Sequence, residues 1–162
     1  MKNTDIAYIA GLIDGEGYLG IKKTPRLYNG RVNPQYQERI QIRMVDEQAI
    51  EFITNTFGGT YHKESPHAAK GRPLYCFATT DKQSVKIITT ILPYLRVKNR
   101  VAETVLRLRS LKDNPDKVAV LTTVKSRWGH DMEVKRWRYS PKHIAECERL
   151  WQLCKDINKG IA

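Results

Sequence analysis

An apolar helix that carries glycine on successive turns of one face, and then runs out onto an acid, leaves a chain few ways to fold. Residues 9–17, Ile9-Ala10-Gly11-Leu12-Ile13-Asp14-Gly15-Glu16-Gly17, have this make-up. Gly11 and Gly15 stand four apart and share a face, so another helix can approach that face with no side chain between. Upstream, Thr4 is the expected N-cap, and Asp5 suits the positive end of the helix. Gly15 and Gly17 are expected to end the helix sharply through backbone angles that other residues resist. Glu16 then sits at the exit, beside the helix–helix seam. Negative charge near a helix C-terminus is mildly unfavourable, which argues against an idle surface acid there.

At 162 residues the chain fits one domain of ordinary size with a hydrophobic core. No stretch approaches a membrane span, and Asp5, Asp14 and Glu16 interrupt any signal-peptide core, so an intracellular protein is expected. A net charge of +11 points to a polyanionic partner. Cys76, Cys147 and Cys154 lack metal-ligand spacing; Cys147 and Cys154, seven apart on a helical apolar stripe, are expected as core thiols in a reducing compartment.

The remaining pattern alternates strands and helices. Residues 18–28 look extended, Asn29-Gly30 signals a turn, and a loop runs to Pro34. Residues 36–44 form the cleanest strand, with Ile40, Ile42 and Met44 on one face and Gln37, Arg39, Gln41 and Arg43 on the other. Asp46 fits an N-cap for a helix to Phe57, stopped by Gly58-Gly59. A second hairpin over 60–65 and 74–79 encloses a basic loop with Lys70 and Arg72, followed by a helix capped by Asp81 and ended by Pro93. Further helices are expected over 99–112, from Asn114-Pro115, and from Ser140-Pro141 onwards. Glu38 is the one acid among residues 22–43 and points inward or sideways. Lys22, Thr24, Arg26, Gln37, Arg39, Gln41 and Arg43 line the outer face. Arginine pairs with guanine and glutamine with adenine in the major groove, which a β-ribbon fits. An eleven-residue strand spans roughly 36 Å, close to one duplex turn of about 10 base pairs.

Residues 9–17 also resemble the signature of the LAGLIDADG homing endonucleases, agreeing at Ala10, Gly11, Leu12, Ile13, Asp14, Gly15 and Gly17. Ile9 replaces the leading leucine, and Glu16 replaces the second aspartate while keeping the acid. The resemblance implies an α+β fold: an αββαββα core with a curved antiparallel DNA-binding sheet and additional C-terminal helices. One domain is expected over 1–162, with a core to about 111 and a helical, basic-loop extension over about 112–162. The motif occurs once, which implies the homodimeric class, with Ala7, Ala10, Gly11 and Asp14 at the dimer seam.

The implied activity is a double-strand break in a long, partly palindromic DNA target during intron or intein homing. The resemblance assigns metal binding to Glu16 and the Gly15 carbonyl. It implies Mg²⁺, with Mn²⁺ as a substitute and Ca²⁺ supporting binding without cleavage. Lys98, in Pro93-Tyr94-Leu95-Arg96-Val97-Lys98, matches the family's basic active-site residue. Asp46 stands where the family places a water-organising residue, and its capping role alone equally explains it. Tyr28, Lys63, Lys70, Arg72, Arg136 and Arg138 join the DNA contacts, and neither a membrane nor a small-molecule substrate is expected. The basic, aromatic segment 125–142 reads both as a phosphate grip and as a loop packing its tryptophans on the core. The competing reading is a non-catalytic nucleic-acid binder on the same scaffold, an RNA maturase or transcription factor.

Overall fold

The computed structural model describes residues 2–25, 27–28, 31–32, 34–65 and 71–161. The chain starts with helix α1 (Asn3–Glu16), which passes into strand β1 (Gly17–Thr24). The short pair β2 (Leu27–Tyr28) and β3 (Arg31–Val32) follows, then the long strand β4 (Gln35–Met44) and helix α2 (Glu47–Phe57). Strands β5 (Tyr61–Glu64) and β6 (Leu74–Thr80) precede helices α3 (Asp81–Ile91) and α4 (Asn99–Asp113). A hairpin of β7 (Lys117–Lys125) and β8 (Asp131–Tyr139) leads to helix α5 (Pro141–Asn158). The main sheet has the order β1-β4-β6-β5 and is antiparallel throughout. The expected αββαββα core is therefore present.

Strand β4 shows why the sheet has two unlike faces. Tyr36, Glu38, Ile40 and Ile42 alternate inward, where they meet Ile9, Ile13, Leu19, Phe77 and the isoleucines of α2 and α3. Burying such an aliphatic side chain contributes about 1.5–3 kcal/mol, so a one-residue slip would expose the entire set. Glu38 is the exception in this row, fully buried yet paired with Lys112 at 2.7 Å. Helix α5 lies along the outer edge of β1, where the Asn158 side chain donates to the Leu19 carbonyl at 3.0 Å. Covering an edge strand in this way removes a site for unwanted pairing. All three cysteines are free and buried, and burial pushes the Cys154 thiol up to about 12.

Several local expectations are corrected. Lys2, not Thr4, occupies the cap of α1, and Asp5 bonds back to its amide at 3.0 Å. Thr80 takes the cap position of α3, because Asp81 has a left-handed backbone (φ 56°) and turns its carboxylate to Gln37 and Lys112. Asp46 does cap α2, accepting from the Ala49 amide at 3.1 Å. The largest correction lies beyond residue 114, where a hairpin replaces the expected short helix and basic loop, leaving α5 as the one C-terminal helix. Val118, Val120, Val124 and their threonine neighbours favour extended backbone. A turn at residues 126–130 with Gly129 at φ 82° reverses the chain. Asp116 and Ser140 close the base through two hydrogen bonds, one of them between side chains at 2.6 Å.

Candidate active site and nucleic-acid interface

The end of α1 is built by close packing. Gly17 has an ordinary extended backbone (φ −83°, ψ 149°), so no left-handed glycine terminates this helix. A β-carbon at Gly17 would instead lie 2.8 Å from both the Cα and the carbonyl oxygen of Ile13. Only glycine lets the strand leave so tightly over the last helical turn. Glu16 is thereby left at the corner, exposed, with no hydrogen bond or ion pair to another described residue.

Lys98 is brought to this corner from a distant part of the sequence. Its ammonium donates to the carbonyl of Ile13 at 2.8 Å and, more closely, to that of Asp14. A cation on the last carbonyls of a helix answers both their unused acceptor capacity and the negative end of the helix dipole. Asp14 holds the loop that carries Lys98, accepting from the amides of Arg96, Val97 and Lys98 at 2.6, 3.2 and 2.9 Å. Burial pushes the Asp14 carboxyl upward, but those amides and the Lys98 charge outweigh it and leave the pKa below its ordinary value. Burial pulls Lys98 below the usual lysine pKa, against the opposing attraction of Asp14 and Glu16. The expected site residues Glu16, Gly15 and Lys98 thus lie together. The clamp formed by Asp14 was missed, since nothing in its own neighbourhood of the sequence names three amides some eighty positions away.

The rest of α1 divides cleanly. Ile6, Ile9, Ala10 and Ile13 face the core, while Ala7, Gly11 and Gly15 face outward. A β-carbon added at Gly11 or Gly15 would meet nothing within 4 Å. One of the expected seam residues is corrected by this geometry, and a second has its side chain engaged within the chain. Ala10 is fully buried inside its own chain, and the Asp14 carboxylate is occupied by the Lys98 loop. Tyr8, beside the bare strip, is half exposed and meets Phe52 edge-on at 5.8 Å. Asp46 borders the same hollow as Thr4, Asp5 and Tyr8, towards the start of α1. From Tyr8 to Glu16 the helix rises roughly 12 Å, so within one chain Asp46 stands apart from the acid and serves as a cap.

On the open face of the sheet, Lys22 pairs across with Gln37, Gly20 with Arg39 and Tyr18 with Gln41. Thr24, opposite Gln35, extends the row, and Arg43 continues it along β4 opposite Cys76. These side chains are knitted together: Arg39 donates to Gln41 at 2.9 Å, and Gln41 to the Cys76 sulfur at 3.3 Å. Two acids reach this row from outside it. Asp81 accepts from Gln37 at 2.7 Å, and Glu64 accepts from Arg43 at 3.2 Å. Lys63 lies on the opposite side of the pleat, its ammonium 5.9 Å from the Tyr75 ring centre, so it is not part of the row. Arg72 is exposed ahead of β6, and Tyr28 stands opposite Arg31 in the short β2–β3 pair. Arg26 and Lys70 lie outside the described residues.

Arg136 and Arg138 project from one face of the β7–β8 hairpin, opposite Val120 and Val118. Trp137 and Tyr139 occupy the other face, where Lys135 and Lys117 lie 5.6 and 5.9 Å from their ring centres. Trp128 and Trp137 are 83% and 65% exposed, so the expectation that these tryptophans pack on the core does not hold.

A family model described as LAGLIDADG endonuclease matches residues 9–112. No curated protein sequence matches the chain. Among solved structures, the homing endonuclease I-CvuI in complex with its target has a TM-score of 0.66 at 18% identity, covering 95% of this chain and 82% of that one. An archaeal intron-encoded homing endonuclease complexed with DNA gives 0.61 at 14% identity, over 98% and 85% of the two chains. I-SmaMI bound to cleaved DNA gives 0.65 at 18% identity, and there the whole of this chain covers 47% of the other.

Proposed function

The chain belongs to the LAGLIDADG endonuclease family, and on that premise we propose that it is a site-specific DNA endonuclease acting as a homodimer in intron or intein homing. One observation carries this reading: Glu16 is an exposed acid without a partner among the described residues, beside Lys98, at the end of a helix whose outer face is bare at Gly11 and Gly15. A single copy offers one free carboxylate and neighbouring carbonyl oxygen, hard ligands of the kind Mg²⁺ takes, but too few to hold it. Two copies packed through the bare strip bring two acids to one place. The residues fit a divalent ion on that condition, with Glu16 and the Gly15 carbonyl as its holders. When bound, such an ion activates water and offsets charge on the phosphate.

The chain's own groups account for the remaining work. Lys22, Arg39, Gln41 and Arg43 present donors and acceptors along a strand pair, and the net charge of +11 favours a polyanion. Lys98 supplies fixed positive charge beside Glu16, where charge develops on a phosphate as it is cut. Asp14 acts through Lys98 as a positioning residue. Mn²⁺ is expected to replace Mg²⁺, and Ca²⁺ to support binding alone. The neighbouring structures solved with DNA are compatible with such a role.

The test is incubation with a plasmid carrying the sequence that spans the insertion point of the gene. Double-strand cutting is expected with Mg²⁺, binding without cutting with Ca²⁺, and loss of cutting with retained binding for Glu16→Gln. Intact plasmid in every divalent metal, at protein concentrations that shift the DNA, would favour the non-catalytic binder.

A further inference from the structure

A second and chemically different ligand set lies at the far edge of the polar sheet face. His62 and Glu64 are two apart on β5 and so share one side of the strand. Cys76 on β6 stands directly opposite His62. One ligand atom from each of the three lies within 4.8 Å of the others, and His62 Nε2 is 3.4 Å from Glu64 Oε1. Around a tetrahedral zinc with bonds of about 2.0–2.3 Å, neighbouring ligand atoms stand roughly 3.3–3.8 Å apart. The His62–Glu64 spacing already meets this, and the remaining closure falls to a half-exposed imidazole and a flexible carboxylate.

We propose that His62, Glu64 and Cys76 form a binding site for a divalent transition metal of the zinc class, with a fourth position open. One sulfur, one nitrogen and one oxygen form a softer set than the carboxylates and carbonyls at the end of α1, and select Zn²⁺ or Co²⁺ over Mg²⁺. Strand pairing fixes two of the three positions relative to the third, so little ordering is required on binding. Binding forms the metal–sulfur bond as the Cys76 thiol releases its proton to solvent.

A guanidinium now stands beside this set. Arg43 donates to Glu64 at 3.2 Å, and Cys76 is also among its partners. A metal that takes Glu64 and the thiolate releases Arg43 from both. If the face binds DNA as proposed above, the freed guanidinium becomes an additional phosphate contact. This consequence rests on the DNA reading; the metal site does not.

The experiment is titration of untagged, metal-free protein with Co²⁺, followed by absorption. One equivalent is expected to give visible ligand-field bands and a near-ultraviolet thiolate-to-cobalt band, with Zn²⁺ bleaching both. Cys76→Ser should abolish the thiolate band, and His62→Ala, a change at an exposed position outside the core, should weaken Co²⁺ binding by about 10-fold or more. No thiolate band at saturating Co²⁺, an undiminished one in Cys76→Ser, or an unchanged Co²⁺ affinity in His62→Ala overturns the site. Zn²⁺ should also steepen the dependence of log affinity for duplex on log salt by about one. An unchanged slope in protein that shows the cobalt spectrum overturns the release of Arg43 alone, and cleavage in Mg²⁺ tests the nuclease reading separately.

Discussion

Asp14 is a motif residue whose carboxylate is spent on holding a distant loop. Three amides converge on its carboxylate, and through them it fixes the loop whose Lys98 sits on the helix end beside Glu16. Asp14→Ala should destabilise the fold by about 2 kcal/mol, at the scale of lost charge-assisted hydrogen bonds, as read by urea denaturation. It should reduce kcat more than DNA affinity, because Lys98 loses its position while the sheet face is untouched. The pH dependence has a definite sign. The Asp14 pKa is lowered in the fold, so its stabilisation is present above the unfolded carboxylate pKa and is lost as pH falls through the lower, folded value. The stability gap between wild type and Asp14→Ala should therefore narrow in acid; a constant gap from neutral pH down to acid unfolding would contradict the clamp. The place of Glu16 at the end of α1 was legible from the sequence because its neighbours form a local signature. The task of Asp14 was not, because its partners are chosen by the tertiary fold.

Among the elements, β4 was the most legible and the β7–β8 hairpin the least, for the same physical reason. Periodicity is readable where one face is buried against something, as in the inward row of Tyr36, Glu38, Ile40 and Ile42. Glu38 keeps its place in that row through Lys112 on α4, also held by Asp81. Glu38→Ala removes a buried charge-assisted hydrogen bond but leaves Lys112 with Asp81, so it should cost about 1.5–3 kcal/mol, visible as a lowered urea midpoint at unchanged slope. The hairpin strands pair chiefly with each other, and apolar residues such as Leu121 and Trp137 remain exposed on it, so no inside–outside contrast marked it as sheet. An isolated two-stranded hairpin is marginal in water, so a partner that covers this one would order it further. Replacing residues 118–138 by a short Gly-Ser link should leave the Tm of the remaining fold within a few degrees. It should also flatten the salt dependence of DNA binding by about two or three, since each phosphate contact contributes a slope of roughly one. An unaltered slope would show that Arg136 and Arg138 do not contact the duplex.

For the whole molecule, the decisive question is whether the strip at Gly11 and Gly15 faces solvent or a second copy, and the two cases predict opposite effects of one methyl group. Glycine inside an exposed helix is less stable than alanine by about 0.5–1 kcal/mol, and a β-carbon at Gly11 meets nothing within 4 Å in the single chain. If the strip faces solvent, Gly11→Ala should raise the Tm and leave DNA cleavage unchanged. If two copies pack through it, the same methyl group enters a backbone-to-backbone contact, and the larger Gly11→Leu side chain holds the helices apart. We expect the second outcome: sedimentation showing a dimer for wild type and a folded monomer for Gly11→Leu, with cutting of the palindromic site lost. Each separated chain would keep its own Glu16, Lys98 and sheet face, and so should still bind a half-site of about 10 base pairs, more weakly. A Gly11→Leu protein that cuts as well as wild type would require each copy to assemble its metal site alone, which one exposed carboxylate at the end of α1 does not allow.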